Sequence, residues 1–391
     1  EKAVPKTKVT VLDIGSKKIS VLIGSKGVNE TFVVHGYGER EYAGYYEGEF
    51  LEEEKLKDTI SKAINDAQSS SNTVVDKLYV GVPADFSYCK TKTQTQTFGQ
   101  RIKISDQDVY QMYQTADEFE NANDYVLISC TPISFVLDDG RKMVKPVGQK
   151  TSKLTATLSL IYAEKKFIEK INSLLKNIGI TTVEYLSSPL CEALYLLPQE
   201  RREETAVLID CGYIATSVAV VKGQGLISLK SFAVGGGHIS ADLMECLHIS
   251  FDEAEQLRKQ LVLSVVPSSN DDYELMRNSG IFPVSMKQAN EITNDRIEMI
   301  ATLIKKCLQK DFETIPSMPF YLTGGGISYI KGGKDVLSKY MGVNVSVLCP
   351  NDVHFAKPHY SSLLGILSKA INQETKGKNI LLAILDKIFK K

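Results

Sequence analysis

No stretch of the chain reaches eighteen consecutive apolar residues, whereas about twenty are needed for a helix to cross roughly 30 Å of hydrocarbon. A transmembrane helix is therefore excluded. The start, EKAVPKTKVTVLDIG, has no apolar core of the secretory kind, so no signal peptide is expected, and it lacks an initiator methionine, so trimming is expected. The seven cysteines stand singly at 89, 130, 191, 211, 246, 307 and 349 with no CxxC pair. That pattern argues against disulfides and zinc and fits reduced thiols. Charge of one sign is not in surplus: 46 Lys and Arg face 47 Asp and Glu, so no nucleic-acid partner is expected. Histidine is scarce, and His35, His238, His248, His354 and His359 are dispersed with no carboxylate at a fixed spacing, which suits structural roles better than catalysis.

What the chain does have is length, apolar content and a repeat. Its 391 residues, 43% of them apolar, are enough for two to four domains. VLDIGSKKISVLIG from Val11 and LIDCGYIATSVAVV from Leu208 each give an apolar strand, Asp-x-Gly, and Ser-Val seven residues after the Asp. The simplest account is a duplicated strand-turn-strand that opens two related α/β halves. Helical periodicity follows in each half, as in Leu56, Ile60, Ala63, Ile64 and Ala67, or Phe167, Ile168, Ile171, Leu174 and Leu175. From Val82 to about Tyr162 the first half is interrupted by a Thr-rich alternating segment, a helix started by Ser105, a turn at Asp138-Asp-Gly140 and the strand LTATLSLIYA, which reads as an inserted α+β subdomain. The second half carries its own insert, read as helical from about Phe232 to Thr302, with a polar loop from Pro267 to Asp272. The charged Gln199 to Glu204 connection marks the boundary between the halves.

Phosphate is met by backbone N–H groups that can approach closely, so glycines directly after a strand, beside an acid that holds a hydrated cation, are the expected chemistry. Asp13-Ile-Gly-Ser-Lys-Lys18 offers a tight turn at Gly15, a hydroxyl at Ser16 and a cation at Lys18. Asp210-Cys-Gly212 opens the second such turn, Thr323-Gly-Gly-Gly326 follows the strand Phe320 to Leu322, and Gly235-Gly-Gly237 precedes a helix near His238. Each glycine turn alone is weak evidence. Two Asp-x-Gly hairpins at the starts of duplicated halves, with a Gly-Gly-Gly turn near the end, describe a cleft clamping a nucleotide between two domains.

In this order the motifs resemble the actin, Hsp70 and sugar-kinase superfamily and, within it, the FtsA family of bacterial cell-division actin homologues. LDIGSKKISVLIG resembles the first phosphate loop, PVGQKTSKLTATLSLIYA the end of the insert that distinguishes FtsA, and FYLTGGGISYIKG the adenosine loop. The resemblance implies an α/β, actin-like two-lobed ATPase fold with an inserted FtsA-type α+β subdomain and a C-terminal amphipathic helix. Its expected parts are subdomain 1A at 1–83 and 163–200, an inserted 1C at 84–162, 2A at 201–231 and 302–372, 2B at 232–301, a linker at 373–378 and a terminal helix at 379–391. It implies ATP with magnesium. Asp13, Gly15, Ser16 and Lys18 would meet phosphate and metal, Asp210 and Gly212 the opposite side, and Gly324, Gly325 and Gly326 the adenosine. Magnesium would be held by Asp13 and Asp210 through water. Gly235, Gly236 and Gly237 resemble the turn into the helix that lines the cleft. Glu255 and Arg258 fall where the family places an acid and a base near the nucleoside, while a solvated helix face is the other reading of that pair.

Three departures bear on turnover. Tyr213 and Ile214 stand where many relatives have glycine, Ser217 stands where several carry an acid, and Ser188 stands where polymerising relatives carry a water-positioning glutamate, with Glu192 one helical turn on as a substitute. No catalytic residue is assigned, and at most a slow ATPase is expected. On the helix from Met286, Arg296 and Glu291, with Lys287 beside them, match the family's helix that receives the C-terminal tail of FtsZ, and an arginine can fork onto a carboxylate of such a tail. A surface ion pair along one helix is the alternative there.

The last thirteen residues, NILLAILDKIFKK, follow a polar hinge at 373–378. On a helix Leu381, Ile384, Leu385, Ile388 and Phe389 share a face, with Lys387, Lys390 and Lys391 on the rim. At about 20 Å such a helix lies in the interface of an anionic membrane without crossing it; packing against its own domain is the other possibility. The expected function is an ATP-binding cell-division actin homologue that self-associates and, with other division proteins, tethers FtsZ filaments to the cytoplasmic face of the membrane at the septum. An actin-like adaptor of the pilus-assembly type and a sugar-kinase or chaperone-type ATPase are the alternatives.

Overall fold

The computed structural model describes residues 7–29, 31–42, 45–117, 124–313 and 317–375. The first lobe is built from β1 (Val9–Ile14), β2 (Lys18–Lys26), β3 (Phe32–Glu41), the short hairpin β4 (Tyr45–Tyr46) and β5 (Glu49–Phe50), α1 (Glu53–Ser71) and β6 (Lys77–Val82). The insert follows, as β7 (Ser87–Lys103), α2 (Asp106–Gln114), β8 (Tyr125–Leu137), β9 (Lys142–Met143) and β10 (Lys150–Glu164). The chain then returns to the first lobe with α3 (Lys165–Asn177), β11 (Thr182–Ser187) and α4 (Ser188–Leu196). The second lobe comprises α5 (Gln199–Glu203), β12 (Ala206–Cys211), β13 (Thr216–Lys222), β14 (Gly225–Phe232), α6 (Gly236–Leu247), α7 (Phe251–Gln260), β15 (Asp272–Arg277), β16 (Gly280–Ser285), α8 (Met286–Gln309), β17 (Phe320–Thr323), α9 (Gly333–Met341) and β18 (Val345–Val347). One more helix, α10 (Ser361–Thr375), ends the described chain.

The duplication read from the sequence is a duplication of topology. The two five-stranded sheets run β3-β2-β1-β6-β11 and β14-β13-β12-β17-β18, with the first three strands antiparallel and the others parallel. The register repeats too: Asp13 stands opposite Ser20 and Asp210 opposite Ser217. Both faces of the first sheet are covered, so β1 is apolar on both sides rather than alternating. Leu12 and Ile14 pack with Ile60 and Ala63 of α1 and Phe167 and Ile171 of α3, while Val9 and Val11 pack with Leu363, Leu364 and Leu367 of α10. The second sheet buries Val207, Ile209 and Leu322 against Ile239 and Leu243 of α6 and Ile297, Ile300 and Ile304 of α8.

The insert is a four-stranded sheet, β7-β10-β8-β9, with α2 on one face and a core of its own around Phe135, Leu154 and Leu158. Ser105 starts α2 through a capping box with Asp108, which satisfies two of the N–H groups left open at a helix start.

Two sequence expectations require correction. Residues 232–301 are not all helical, because β15 and β16 form a hairpin closed by Asn278-Ser-Gly280, with Tyr273, Leu275 and Val284 buried on its inner side. The period-two alternation was too short to stand out from its helical surroundings. The last part of 302–372 does not belong with the second lobe either. α10 crosses back and packs on α4, β1, β2 and β6 of the first lobe, burying Leu363, Leu364, Ile366, Leu367, Ala370 and Ile371. It also continues to Thr375, through the first residues of the expected linker.

Candidate functional site

The cleft between the lobes holds a cavity of about 650 Å³, large enough for a ligand of nucleotide size. The duplicated hairpins face each other across it. In each, the glycine after the aspartate closes the same tight turn: Gly15 N–H donates to Lys18 O and Gly212 N–H to Ala215 O, both at 2.9 Å. The repeated sequence thus delivers two carboxylates, Asp13 and Asp210, to the floor from opposite sides. Ser362, at the start of α10, donates to Asp13 Oδ1 at 3.1 Å. Burial raises the Asp13 carboxyl to about 6, and burial together with nearby Asp13 raises Asp210 to about 7. Glu192 on α4 also lines the cavity, and burial beside those two carboxylates pushes it well above the ordinary range.

Three acids converge here, and among the described residues no basic side chain is bonded to Asp13 or Asp210. Such a donor set of hard oxygens suits a divalent cation. Among the described residues no three His, Cys, Asp or Glu side chains stand close enough to cage an ion directly.

Among the described residues, two in the lining have polar atoms buried without a partner, Ser188 Oγ and His359 Nε2. Buried polar groups are normally bonded, and orphans in a cavity wall are what a ligand would satisfy. His359 is held neutral, its pKa lowered to about 4 by burial and by Lys18, and its Nδ1 meets the Tyr329 hydroxyl.

Of the residues picked from sequence, Asp13, Gly15, Ser16, Lys18, Asp210, Gly212, Arg258, Gly324 and Gly325 line the cavity. Gly235, Gly236, Gly237, Glu255 and Gly326 stand behind the lining. Gly236 N–H donates to Gly212 O (2.9 Å), Gly237 N–H to Tyr213 O (2.7 Å) and Gly326 N–H to Cys211 O (2.7 Å), so these amides brace the second turn instead of facing the space. Glycine is needed there because a Cβ on Gly236 would meet the Gly326 backbone at 2.5 Å.

The charges are also engaged. Lys18 pairs with Glu39 at 2.5 Å. Lys17, which sequence reasoning passed over, reaches across the cleft to Glu255 at 3.1 Å and lies 4.1 Å above the Tyr213 ring. Glu255 further accepts from Ser240, Tyr213 (3.2 Å) and Arg258 (3.3 Å); burial opposes its ionisation, yet Ser240, Arg258 and Lys17 hold its pKa at about 2. Ile214 N–H donates to Ser16 Oγ at 3.2 Å, a direct bond between the two turns. Residues missed by sequence include Lys17 and Tyr329, which lie within the quoted turn motifs but were not singled out, and Asp85 and His359, which had no local motif.

The cell division protein FtsA family model matches residues 207–365, and a second model, the SHS2 domain inserted in FtsA, matches residues 88–162. Together they span more than half of the chain, and the second coincides with the sheet inserted between β6 and α3. The chain belongs to the FtsA family. Cell division protein FtsA of Bacillus subtilis (strain 168) is 22% identical over 375 residues, covering 94% of this chain and 85% of that one. Its counterpart in Rhizobium meliloti (strain 1021) is 23% identical over 383 residues, covering 92% and 86%. Among solved structures, the PilM-PilN type IV pilus biogenesis complex has a chain with a TM-score of 0.64 at 14% identity, covering 94% of this chain and 99% of its own. MreB 5 of Spiroplasma citri bound to AMPPNP gives 0.57 at 12% identity, covering 96% and 99%. These likenesses show the fold, which is actin-like.

In this family member the helix expected to receive a partner is α8. Glu291 and Lys287 are exposed on it. Arg296 is not free: its guanidinium forks onto Asp242 of α6, Nε to Oδ2 at 2.5 Å and Nη2 to Oδ1 at 2.6 Å. The ion pair joins two helices rather than running along one. Leu381, Ile384, Leu385, Lys387, Ile388, Phe389, Lys390 and Lys391, expected to meet the membrane, lie outside the described residues.

Proposed function

We propose that this cell-division actin homologue binds ATP with magnesium in the inter-lobe cavity, self-associates, and ties FtsZ filaments to the cytoplasmic face of the membrane at the septum. The observation that carries the nucleotide reading is the meeting of both Asp-x-Gly turns and the Gly324-Gly325 turn in one cavity whose wall has two orphaned polar atoms. Gly15, Ser16, Lys18 and Gly212 would hold the phosphates, Asp13 and Asp210 the hydrated metal, Gly324, Gly325 and Arg258 the nucleoside side, with Glu255 and the glycines of 235–237 and 326 supporting them from behind. Magnesium, when bound, supplies charge neutralisation between phosphate oxygens and the two aspartates. Ser16 must exchange its bond from Ile214, and Lys18 its bond to Glu39, for phosphate oxygens. Glu192, desolvated beside both aspartates, keeps a proton more readily than an ordinary carboxyl, so turnover is slow.

The membrane reading rests on 379–391. Six or seven large apolar side chains buried in an interface give about 10 kcal/mol gross, less the cost of partial immersion and of ordering a short helix, and each lysine adds roughly 1 kcal/mol on anionic lipid, offset in part by Asp386. One tail binds reversibly; a filament of them holds by avidity. The test is co-sedimentation with anionic liposomes of the full chain, a chain stopped at Lys378, and Ile384→Asp. The full chain should pellet and the other two should not. Equal pelleting of all three would sink the anchor. Binding of an acidic FtsZ tail peptide separates this reading from a pilus-type adaptor, which would ignore it.

A further inference from the structure

The two turns that would receive phosphate touch each other. Ile214 N–H on the second turn donates to Ser16 Oγ on the first at 3.2 Å, and a Cβ built on Gly212 would meet that same oxygen at 3.4 Å. A phosphate can use the Ile214 amide and the Ser16 hydroxyl only after they let go of each other. The cavity is of nucleotide size, yet at these turns its two walls meet.

Beside that contact lies Lys17. Its backbone is fixed, because its carbonyl accepts from Tyr42 N–H at 2.8 Å, and its side chain crosses to the second lobe. The ammonium meets Glu255 Oε2 of α7 at 3.1 Å and lies 4.1 Å above the Tyr213 ring. The turns are thus tied twice, by Ser16 with Ile214 and by the adjoining pair Lys17 with Tyr213.

Glu255 makes the second tie releasable. Its carboxylate also accepts from Ser240, from the Tyr213 hydroxyl at 3.2 Å and from Arg258 at 3.3 Å. With Arg258 in place, departure of Lys17 leaves no buried charge unpaired, and an unpaired charge is the usual large cost of breaking a buried pair. The Lys17 side chain is 33% exposed, so its ammonium is hydrated as soon as it turns outward.

We propose that Lys17 is an autoinhibitory clasp: seated on Glu255 and over Tyr213, it holds the two turns together in the ligand-free protein, and a nucleoside triphosphate enters only when it opens. The proposal rests on the reading of this cavity as a nucleotide site. A ligand that binds the open form alone loses affinity in proportion to the closed population, and its association is slowed by the same factor while its dissociation is not. A partly exposed ion pair with a cation–ring contact gives about a three- to tenfold preference for the closed form.

The full chain and its Lys17→Met and Lys17→Arg variants are titrated with magnesium and a fluorescent ATP analogue, at equilibrium and by stopped flow, and adenosine binding is measured by calorimetry. Methionine keeps an unbranched stem without the charge; arginine keeps the charge. Lys17→Met should bind the ATP analogue about three- to tenfold tighter, through faster association with unchanged dissociation, while its affinity for adenosine, which does not need the turns apart, stays that of the parent. Lys17→Arg should behave as the parent throughout. An unchanged affinity in Lys17→Met overturns the clasp and leaves the nucleotide reading standing. A weaker one makes Lys17 a phosphate ligand and also overturns the clasp, as does an equal gain for adenosine or a gain shared by Lys17→Arg. If neither the parent nor the variants bind the analogue, the clasp and the nucleotide reading fall together.

Discussion

Gly324 and Gly325 are adjacent, yet a methyl group added to each should do opposite things. At Gly324 the backbone is left-handed, φ +83°, and a Cβ would overlap the Asp210 carboxylate and the Cys211 carbonyl. At Gly325 the nearest atoms to an added Cβ are His359 Cβ at 3.4 Å and Tyr329 Cε2 at 3.5 Å, which is ordinary contact, and φ lies outside the left-handed region. Gly325→Ala should therefore leave stability within about 1 kcal/mol of the parent, since loss of backbone freedom in the unfolded chain offsets minor crowding. Gly324→Ala should cost about 2 kcal/mol or more. If a nucleoside lies against the Gly325 Cα, the same harmless methyl displaces it, and an overpacking cost of roughly 1 to 3 kcal/mol corresponds to about 5- to 150-fold in Kd. Urea denaturation without ligand and titration with a fluorescent ATP analogue give the two numbers. Stability unchanged with affinity unchanged, and the same for Gly325→Val, would refute the placement of the nucleoside on this turn. A Gly325→Ala variant that unfolds would refute the packing argument itself.

Two further expectations concern charge. Asp13 and Asp210 have folded pKa values, about 6 and about 7, above the ordinary carboxylate value, so the folded state keeps protons that the unfolded chain has released. Their contribution is fully present below about pH 4 and is lost as pH rises through 6 to 7, so the ligand-free melting temperature should fall between pH 5 and 8. Asp210→Asn should flatten that fall, as should magnesium with ATP; a pH-independent melting temperature would contradict the burial of the pair. Arg296→Glu should destabilise by about 1 to 3 kcal/mol, because it sets a carboxylate against Asp242. Loss of FtsZ-peptide binding in that variant would then be ambiguous. The swap Arg296→Asp with Asp242→Arg should recover the melting temperature, and a binding loss that persists in it assigns recognition to Arg296 itself.

The sequence made the architecture of the cleft legible because the relevant signals were local and repeated. Asp13-Ile-Gly15 and Asp210-Cys-Gly212 each carry their strand, turn and register within about ten residues, and the structure repeats the Asp to Ser pairing in both. Ser105 announced α2 by the same logic, since a cap and its N3 partner are three residues apart. What stayed hidden depends on contacts between distant segments. Lys17 finds Glu255 and Arg296 finds Asp242 at separations of 238 and 54 residues, so no spacing rule could pair them. The glycines at 235–237 were visible as a turn, but that the amides of Gly236 and Gly237 serve the second hairpin and not the cavity depends on the fold. α10 was misplaced for a similar reason: its apolar face has no preference between sheets until the sheet it covers exists.

Because α10 returns to the first lobe, the chain begins and ends its described course on one body, and the other, from β12 to β18, is joined to it by two chain crossings and by a shared core in which Leu208, Val221, Leu226 and Leu229 pack with Cys89, Ile161 and Leu190. Whatever grips the chain beyond Thr375 grips the first lobe alone.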